Sequence, residues 1–479
     1  MVTVPTPPLA VDLDGSLVRT DTLWETLFTL LRNQPFALIA AIFSLRHGRA
    51  AFKARLVILA PLEVASLPLN NELIDWLRQE GATGRRLVLA TATHHRVAQA
   101  IADRVGLFAQ VLASDGHHNL KGPAKAAALV EHFGQGGFDY VGDARADLPV
   151  WVAARHAIVV GGPRLVRAAG QVARVERVFA PPPRAPALWR ALRIHQWAKN
   201  LLLFLPLLAA HQVGDGAQLL AAGLAFLAFG LTASAVYLLN DLLDLSADRR
   251  HPSKCRRPFA AGTLPLAWGL LLAPLLLLGA AAISGLWLPA PFGAVLVGYF
   301  LLASAYSFAL KRLPILDVMT LAALYTLRVI AGAAAVAIWP SFWLLAFSLF
   351  LFLSLALVKR YAELDGLQAR GDLTAAGRGW HVDDLPLIGG LGTAAGLAAV
   401  LVLALYIDSE PARRLYQLPE ALWLLTPLLL YWVSRLWFKT HRSEMHEDPV
   451  VFALRDKVSL GIGGVAVAIV LLATQGGGL

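Results

Sequence analysis

Long runs of apolar residues fill the second part of the chain, whereas the apolar runs of the first part are short. From about residue 191 onward, apolar stretches alternate with short polar loops, as in a protein that crosses a bilayer several times. We count nine candidate spans, at about 199–212, 217–239, 265–284, 292–309, 315–337, 342–358, 386–407, 418–434 and 458–474. The first is short and contains Pro206, which favours a start further upstream. The pattern predicts an all-α polytopic membrane bundle of nine transmembrane helices over residues 191–479.

Residues 1–165 carry short apolar runs that each end in a polar group. These runs stand at 9–13, 86–90 and 138–141. The polar groups at their ends are Asp12 and Asp14, Thr91, and Asp143. Helical patterns separate the runs, so we expect parallel strands whose polar ends meet at the carboxyl edge of one sheet. This part of the sequence predicts a soluble α/β domain with a Rossmann-like sheet.

The segment at 166–190 combines arginines with a run of three prolines. We interpret it as a basic, Pro-rich linker that lies near anionic lipid.

Hydrophobic residues make up 57% of the chain and charged residues 15%, which places most of the chain in a bilayer. The single cysteine, Cys255, excludes an internal disulfide framework. We expect no signal peptide, because residues 1–10 are Pro-rich and lack a charged start.

Loop charges predict how the chain is oriented in the membrane. The alternate loops of one set hold only Arg413 and Arg414. Sixteen Lys or Arg residues occupy the other set, at 240–262, 311–312, 359–380 and 435–457. The positive-inside rule then puts these basic loops and the N-terminal domain in the cytoplasm. With nine spans, the C-terminus would lie on the outer side of the inner (cytoplasmic) membrane.

The segment 240–258 gathers acidic and basic residues directly after an apolar run. If the helix continues, Asn240, Asp244 and Asp248 lie at i, i+4 and i+8 on one face, with Asp241 beside them. Such oxygen clusters suit Mg²⁺, which usually shares its shell with phosphates. The basic half, which suits an anionic ligand, contains Arg249, Arg250, Lys254, Arg256 and Arg257. The alternative is a solvated loop whose positive charges only fix orientation.

The motifs of the first domain resemble those of the haloacid dehalogenase-like phosphatases. The four motifs match the residues 12–16, Thr91, 121–125 ending in Lys125, and Gly142-Asp143 with Asp147. The resemblance implies that Asp12 is the nucleophile and Asp14 the general acid and base. It implies that Thr91 and Lys125 hold the phosphoryl group. The implied Mg²⁺ ligands are Asp12, Asp143 and Asp147. Ser16 departs from the Thr or Val that is common in the family.

The same resemblance implies a helical cap over about residues 20–85. The apolar segment 35–45 is too short to span a bilayer, and we favour packing within the cap over resting on a membrane. An inactive remnant kept as a docking module is the alternative interpretation of the whole domain.

The second domain resembles the UbiA-type intramembrane prenyltransferases. The resemblance rests on the N-D-x-x-D-x-x-x-D motif at 240–248 and on the segments 195–200 and 306–312. It implies that Mg²⁺ and a diphosphate bind to Asn240, Asp241, Asp244 and Asp248. The family's second acidic motif, D-x-x-x-D, is incomplete, because Ala369 stands where its second Asp would lie.

This departure resembles the branch that transfers phosphoribose from phosphoribosyl diphosphate to a polyprenyl phosphate. The expected partners of the phosphates are cations, namely Lys254, Arg257, Lys311 and Lys359. Asp317 and Arg328 are three helical turns apart, so both can face one cavity. A structural Asp or a backbone partner for Arg328 is the alternative. Other expected substrate-binding residues are Lys199, Asn240, Arg249, Tyr306, Arg360, Tyr361 and Glu363. The polar patch at 447–456 includes Arg455 and Asp456, to which we assign no catalytic role.

We therefore predict a bifunctional membrane enzyme with Mg²⁺ in both domains. The membrane domain would transfer 5-phosphoribose from phosphoribosyl diphosphate to polyprenyl phosphate, and the N-terminal domain would dephosphorylate the product. One alternative is a prenyltransferase that attaches a polyprenyl chain to an aromatic acceptor. An alternative of another class is a membrane transporter with a regulatory soluble domain. We expect no nucleic-acid partner, and the sequence leaves the oligomeric state open.

Overall fold

The computed structural model of the chain describes residues 6–115, 118–374, 378–445 and 448–475. It divides into two compact units, Met1–Leu192 with Tyr237–Ala273, and Arg193–Val236 with Pro274–Leu479. The first unit therefore holds the α/β domain together with the acidic segment predicted to bind diphosphate. The second unit holds the rest of the membrane domain.

Six parallel strands form the sheet of the first unit. They are β1 (Leu9–Val11), β2 (Leu87–His94), β3 (Gln110–Ser114), β4 (Asp139–Gly142), β5 (His156–Val160) and β6 (Arg174–Phe179). Their order in the sheet is β3-β2-β1-β4-β5-β6, with Leu9 aligned to Leu87 on one side and to Asp139 on the other. The central strands are almost fully buried, as expected for a parallel sheet covered by helices. The predicted parallel α/β sheet is confirmed.

The described residues before residue 193 contain nine helices. They are α1 (Thr22–Asn33), α2 (Pro35–Phe43), α3 (Arg49–Leu59), α4 (Asn71–Ala82), α5 (His95–Val105), α6 (Pro123–Phe133), α7 (Leu148–Ala153), α8 (Pro163–Gly170) and α9 (Arg184–Leu192). Short 3-10 turns occur at Ser44–His47, Val64–Ser66 and Arg145–Asp147.

Helices α1 to α4 lie in the segment predicted as a cap, and α1 to α3 are called the cap helices below. The cap helices pack on one another through a small apolar cluster that contains Leu30 and Leu56. By contrast, α4 buries Leu73 and Leu77 in the main core against the sheet. The cap over 20–85 stays a prediction, and within that segment the apolar face of α4 packs against the sheet.

The segment predicted as a linker, 166–190, contains regular structure. Helix α8 extends through Gly170, and β6 pairs in parallel with β5 along the edge of the sheet. The sequence of β6, Arg-Val-Glu-Arg-Val-Phe, is too polar to stand out as a strand, and only Phe179 in it is fully buried. The sheet thus continues well beyond the boundary expected at residue 165.

The elements described after residue 193 are all helical. The α-helices are α10 (Leu205–Ala209), α11 (Gly216–Leu243), α12 (Leu245–Arg250), α13 (Leu266–Trp287), α14 (Ala290–Phe308), α15 (Pro314–Ala335), α16 (Phe342–Gln368), α17 (Leu385–Ile407), α18 (Glu410–Leu415), α19 (Leu425–His441), α20 (Pro449–Ala453) and α21 (Lys457–Gln475). Segments of 3-10 helix lie at Ile194–Phe204, Lys254–Arg256, Leu310–Arg312, Val382–Asp384 and Pro419–Leu424.

Eight helical segments in the described residues are long and apolar enough to cross a membrane. They are Gly216–Leu243, Leu266–Trp287, Ala290–Phe308, Pro314–Ala335, Phe342–Gln368, Val382–Ile407, Pro419–His441 and Lys457–Thr474. The chain is a multi-pass membrane protein, but the predicted count of nine spans is not confirmed. The position of the C-terminus on the outer side depended on that count and stays a prediction.

The predicted first span, 199–212, is not one long helix. A 3-10 segment covers Ile194–Phe204, and the five-residue helix α10 follows with Pro206 in its first turn. A Cβ on Gly332 would collide with the backbone carbonyl of Leu203, so this segment packs directly against the backbone of α15. Apolar composition therefore reflects close packing here as well as membrane length.

The helix that carries the acidic motif breaks inside it. Helix α11 ends at Leu243, and Asp244 has φ −99° and ψ 14° before α12 begins. The carbonyl oxygen of Leu243 accepts a hydrogen bond from Arg32 Nη1 of α1 at 3.0 Å. A side chain that bonds to a helix carbonyl is a recognised cause of a helix break. The expectation of one continuous helix face through Asp248 is therefore wrong.

Candidate active sites

The predicted phosphatase residues line one cavity at the carboxyl edge of the sheet. Asp12 follows β1, Thr91 lies in β2, and Asp143 follows β4. The cavity has a volume of 1720 Å³. Asp14, Lys125 and Asp147 also line it. The parallel strand order brings these residues together from four distant parts of the sequence.

Lys125 is the buried cation of this cavity. It lies in the first turn of α6, and its Nζ donates to Asp12 Oδ1 at 2.8 Å and to the Tyr140 hydroxyl at 2.7 Å. Asp147 Oδ1 lies 3.5 Å from the same nitrogen. Burial alone lowers the pKa of Lys125, yet Asp12 and Asp147 hold that pKa above its ordinary value. Lys125 is therefore charged and fixed in position. No sequence pattern indicates a role for Tyr140, because it is one more apolar position of β4.

Three carboxylates converge beside this lysine. Asp12, Asp143 and Asp147 each offer one oxygen within 4.8 Å of the others. Burial is the main cause that raises the pKa of Asp12 to about 7, with Lys125 opposing it and Asp147 adding to it. Burial is also the main cause that raises the pKa of Asp143 well above its ordinary value, and Asp12 and Asp147 add to it. A divalent cation would relieve this repulsion, so the donor set fits Mg²⁺.

Asp147 also shapes the turn that presents Asp143. Its Oδ2 accepts hydrogen bonds from the backbone N–H groups of Asp143, at 3.2 Å, and Ala144, at 3.1 Å. Its Oδ1 accepts from the Tyr140 hydroxyl at 3.0 Å. Asp147 therefore orients the turn that carries Asp143, in addition to belonging to the cluster of three carboxylates.

Asp14 connects the cavity with the cap. Its Oδ1 accepts a hydrogen bond from the Thr22 backbone N–H at 2.8 Å, and its Oδ2 accepts from Thr93 Oγ1 at 2.6 Å. Thr22 is the first residue of α1. Thr91 is fully buried, and its Oγ1 accepts from the Thr93 backbone N–H at 3.1 Å. Thr22 and Thr93 were missed, because nothing local distinguishes them from other threonines.

The cap also contributes a cation to the cavity. Lys53 of α3 donates to the Ala92 carbonyl at 2.8 Å and to Asn119 Oδ1 at 3.2 Å. Lys53 and Asn119 both line the cavity. Burial lowers the pKa of Lys53, while Asp14 and Asp21 oppose that effect. No motif in the sequence indicates Lys53, which lies in an otherwise ordinary helix, α3.

A glycine in the first motif is required by close approach to a carboxylate. Gly15 has a φ of +76°, and a Cβ there would collide with the Asp143 carboxylate. We expect Gly15→Ala to lower hydrolysis of a small phosphate ester by the full chain by about 100-fold, the cost of a misplaced catalytic group. Gly106→Ala is the matched control, because its φ is +68° but a Cβ there meets nothing within 4 Å. Equal losses in both variants would contradict this account.

In the acidic motif, Asp241 and Asp248 converge and Asp244 does not join them. Arg257 Nη1 lies 3.1 Å from Asp241 Oδ1 and 2.7 Å from Asp248 Oδ2. Asp244 Oδ1 instead lies 3.0 Å from Arg32 Nη1. Within the described part of the chain, Asp241, Asp244 and Asp248 are not among the groups whose oxygens lie within 4.8 Å of one another. The expected three-carboxylate face is thus reduced to a pair, because the helix break turns Asp244 toward α1.

Arg249 forms an ion pair with the cap. Its guanidinium contacts both oxygens of Glu25, at 2.6 and 3.0 Å, and its Nε donates to the Ala260 carbonyl at 2.9 Å. Both side chains are buried. This bidentate pair fastens α12, and through Ala260 the loop that follows α12, to α1. Its geometry therefore favours a structural role over the predicted contact with substrate. Asn240 lies in the last turn of α11, and Lys254 lies in the 3-10 segment of the same loop.

In the second unit, Asp317 is the centre of a network of hydrogen bonds and ion pairs. Arg360 Nε lies 2.8 Å from its Oδ2, the Tyr306 hydroxyl donates to its Oδ1 at 2.8 Å, and Trp380 Nε1 donates to its Oδ2 at 2.7 Å. Asp317 and Arg360 are both fully buried. Glu363 pairs with Arg360, and Arg378 Nε lies 3.2 Å from Glu363 Oε1. Trp380 and Arg378 were missed, because they lie in the loop after α16 without a motif of their own.

Arg328 does not pair with Asp317. Its Nε donates to Asn200 Oδ1 at 3.0 Å, its Nη2 donates to the Tyr299 hydroxyl at 3.1 Å, and its Nη1 donates to the Leu324 carbonyl. Asp317 and Arg328 thus belong to two separate networks, and the backbone partner of Arg328 matches the alternative. The cavity that both were expected to face stays a prediction. Tyr361 contacts His441 Nδ1 at 3.0 Å.

Lys199 and Lys359 meet at a carboxylate that the sequence did not single out. Asp448 Oδ2 lies 2.6 Å from Lys199 Nζ and 3.2 Å from Lys359 Nζ, and the Tyr325 hydroxyl donates to Asp448 at 3.2 Å. Burial alone would raise the pKa of Asp448, but the two lysines hold it well below its ordinary value. Asp448 belongs to the predicted polar patch, whose first residue, Glu447, lies outside the described residues.

Other predicted residues of the membrane domain keep their status as expectations. Arg455 and Asp456 follow α20, and Asp456 pairs with Arg435 at 2.7 Å. Lys311 lies in a 3-10 segment of the second unit, whereas the acidic motif lies in the first unit. A common hollow of that motif with Lys311 and Lys359 therefore stays a prediction.

Comparisons with known proteins cover both domains. The model of the UbiA prenyltransferase family matches residues 201–459. An uncharacterised protein, y4nM, of Sinorhizobium fredii is 38% identical over 97% of this chain and 91% of its own length. A decaprenyl-phosphate phosphoribosyltransferase of Mycobacterium tuberculosis is 38% identical over 40% of this chain, and the match spans 64% of that enzyme.

A solved structure is similar to the first domain. It is a phospho-aspartyl intermediate analogue of phosphoserine phosphatase, with 12% identity, a TM-score of 0.26, and coverage of 36% of this chain and 92% of its own. The family model spans more than half of the chain and includes the segment with Asp241, Asp244 and Asp248. This chain therefore belongs to the UbiA prenyltransferase family.

Proposed function

We propose that the membrane domain transfers 5-phosphoribose from phosphoribosyl diphosphate to a polyprenyl phosphate. The observation that carries the proposal is the convergence of Asp241 and Asp248 on one cationic nitrogen within the family's acidic motif. The similarity to decaprenyl-phosphate phosphoribosyltransferases supports the choice of donor and acceptor. The incomplete second acidic motif, with Ala369 in place of a carboxylate, supports an anionic acceptor.

The pair of carboxylates fits a divalent ion in the place of the guanidinium. Asp241 and Asp248 would hold Mg²⁺, and Asp244 would join them only after releasing Arg32. Bound there, Mg²⁺ would supply charge stabilisation for the departing diphosphate. Arg257 would then be free to contact a phosphate oxygen, which is the role predicted for it from the sequence.

The proposed transfer is a displacement at the anomeric carbon. A phosphate oxygen of the lipid forms a bond to C1 of the ribose, and the bond from C1 to the diphosphate oxygen breaks. The diphosphate leaves with the electron pair of that bond. Lys311, Lys359 and Lys254 would neutralise the phosphates that the two substrates bring to the site.

We propose that the first domain removes the 5-phosphate from the lipid-linked product. The Asp12 carboxylate would attack phosphorus, while Asp14 gives a proton to the leaving oxygen. Asp14 would then take a proton from the water that hydrolyses the aspartyl-phosphate. Lys125 and Thr91 would hold the phosphoryl oxygens, and Asp12, Asp143 and Asp147 would hold Mg²⁺. The cluster of buried carboxylates beside Lys125 supports this chemistry.

A second candidate function is attachment of a prenyl chain to an aromatic acceptor. The description of the matching family as a prenyltransferase family favours it. It requires prenyl diphosphate as the donor, so a donor comparison separates the two functions.

The test is a donor assay on the purified full chain. Labelled phosphoribosyl diphosphate should give labelled lipid only when polyprenyl phosphate is added, and EDTA should abolish the transfer because the carboxylate pair then lacks its ion. Excess Mg²⁺ should restore it. Labelling from a prenyl diphosphate with an aromatic acceptor, and none from phosphoribosyl diphosphate, would establish the second candidate instead.

A further inference from the structure

Asp448 lies in a cradle of donors supplied by three separate segments of the second unit. Lys199 comes from the 3-10 segment before α10, Tyr325 from α15 and Lys359 from α16. The two ammonium groups bind the same oxygen of Asp448, and the Tyr325 hydroxyl reaches both oxygens, at 3.2 and 3.4 Å. Two cations and a hydroxyl around one anion make up a typical phosphate-binding arrangement.

The charges of the cradle exceed what one carboxylate neutralises. Two lysines face a single negative charge, and the Arg328 guanidinium lies 5.6 Å from the centre of the Tyr325 ring. A phosphate monoester carries a charge of about −1.5 to −2 at neutral pH. Such a group would match the two lysines more closely than Asp448 does.

Access distinguishes this cradle from the Asp317 network. The side chains of Asp317 and Arg360 are 0% exposed, so the centre of that network is closed, although Glu363 at its edge is 31% exposed. In the cradle, the side chain of Lys359 is 38% exposed, whereas those of Lys199 and Asp448 are 8% and 10% exposed. One wall therefore opens to a ligand while the floor stays buried.

We propose that Lys199, Lys359 and Tyr325 form a phosphate-monoester subsite, which Asp448 occupies as an internal substitute until substrate displaces it. This inference rests on the proposed transferase function. The monoester is either the lipid phosphate or the 5-phosphate of the donor, since both present the same chemistry. Occupation by Asp448 lowers the apparent affinity, because only the fraction of molecules with an open subsite binds ligand.

The experiment compares Asp448→Asn with the unmodified full chain in the transfer assay. Asparagine keeps the size of the side chain but weakens its hold on the lysines. We expect the KM for one of the two phosphate substrates to fall about five- to tenfold, as the competing charge is removed. The substrate whose KM falls identifies the source of the monoester. Lys359→Gln should raise the same KM and leave the other unchanged.

Asp456→Asn is the matched control. Asp456 also pairs with a cation of the second unit, with Arg435 Nη1 2.7 Å from its Oδ2, but it lies outside the cradle. Both KM values should stay unchanged in this variant. A raised KM in Asp448→Asn, or a lowered thermal midpoint with unchanged KM, would overturn the proposal and leave Asp448 as a structural anchor.

A binding measurement separates this inference from the proposed function. Thermal stabilisation of the full chain is followed with polyprenyl phosphate in vesicles and with ribose 5-phosphate, both without turnover. Stronger stabilisation of Asp448→Asn than of the unmodified chain would support the subsite even if no phosphoribose is transferred. Equal stabilisation of the two proteins by both probes would overturn the subsite, whatever the donor assay gives.

Discussion

Asp248→Asn should strongly reduce the transfer of phosphoribose to the lipid. Asp241 and Asp248 are the two carboxylates that converge on one cation, and removal of one leaves a single anionic ligand for the metal. We expect kcat/KM for transfer to fall by about 10³-fold, which corresponds to about 4 kcal/mol of transition-state stabilisation. The measurement is incorporation of labelled phosphoribosyl diphosphate into polyprenyl phosphate by the purified full chain.

Two variants calibrate this result. Asp372→Asn is the surface control, because Asp372 is exposed and its contact with Arg370 is 3.5 Å long. Transfer should be unchanged in it. Asp244→Asn reports whether Asp244 leaves Arg32 to join the metal during turnover: a loss as large as that of Asp248→Asn would mean that it does. Full transfer activity in Asp248→Asn would disprove the metal role of the pair.

Asp12→Asn should stop dephosphorylation without affecting transfer. Asp12 is the predicted nucleophile, and asparagine cannot form the aspartyl-phosphate. We expect hydrolysis to fall by at least about 10³-fold, so that lipid-linked ribose 5-phosphate accumulates. Chromatography of the labelled lipid, with and without treatment by an added phosphatase, separates the two products.

The control for this variant is Asp103→Asn. Asp103 is an exposed carboxylate of α5 whose hydrogen-bond partner is Gln99, four residues earlier on the same helix. Its product should carry no 5-phosphate. If the product of Asp12→Asn is also free of 5-phosphate, the first domain does not act on this lipid, and the coupling of the two activities is wrong.

The sequence predicts well those features that depend on local pattern. Parallel strands place their carboxyl ends at one edge, so the motifs with Asp12, Thr91 and Asp143 could be assigned to one cavity without knowledge of the strand order. Long apolar runs likewise predict most of the candidate spans, because bilayer thickness sets a minimum helix length.

Features that depend on distant contacts could not be predicted. The break at Asp244 involves Arg32, which is 211 residues from the bonded carbonyl of Leu243. The cradle around Asp448 joins it to Lys199 across 249 residues. No periodicity in either segment indicates such a partner. In the same way, β6 is a strand because it pairs with β5, and its own polar sequence does not identify it.

Helix α1 makes the soluble domain and the acidic motif mechanically inseparable. The backbone N–H of its first residue, Thr22, donates to Asp14. Glu25 in its first turn pairs with Arg249, and Arg32 in its last turn pairs with Asp244. Truncation of the chain before the membrane domain would remove Arg249, the ion-pair partner of Glu25, and Asp244, the ion-pair partner of Arg32. A substitution in this twelve-residue helix should therefore change both transfer and dephosphorylation. Variants designed to separate the two proposed activities have to leave α1 unchanged.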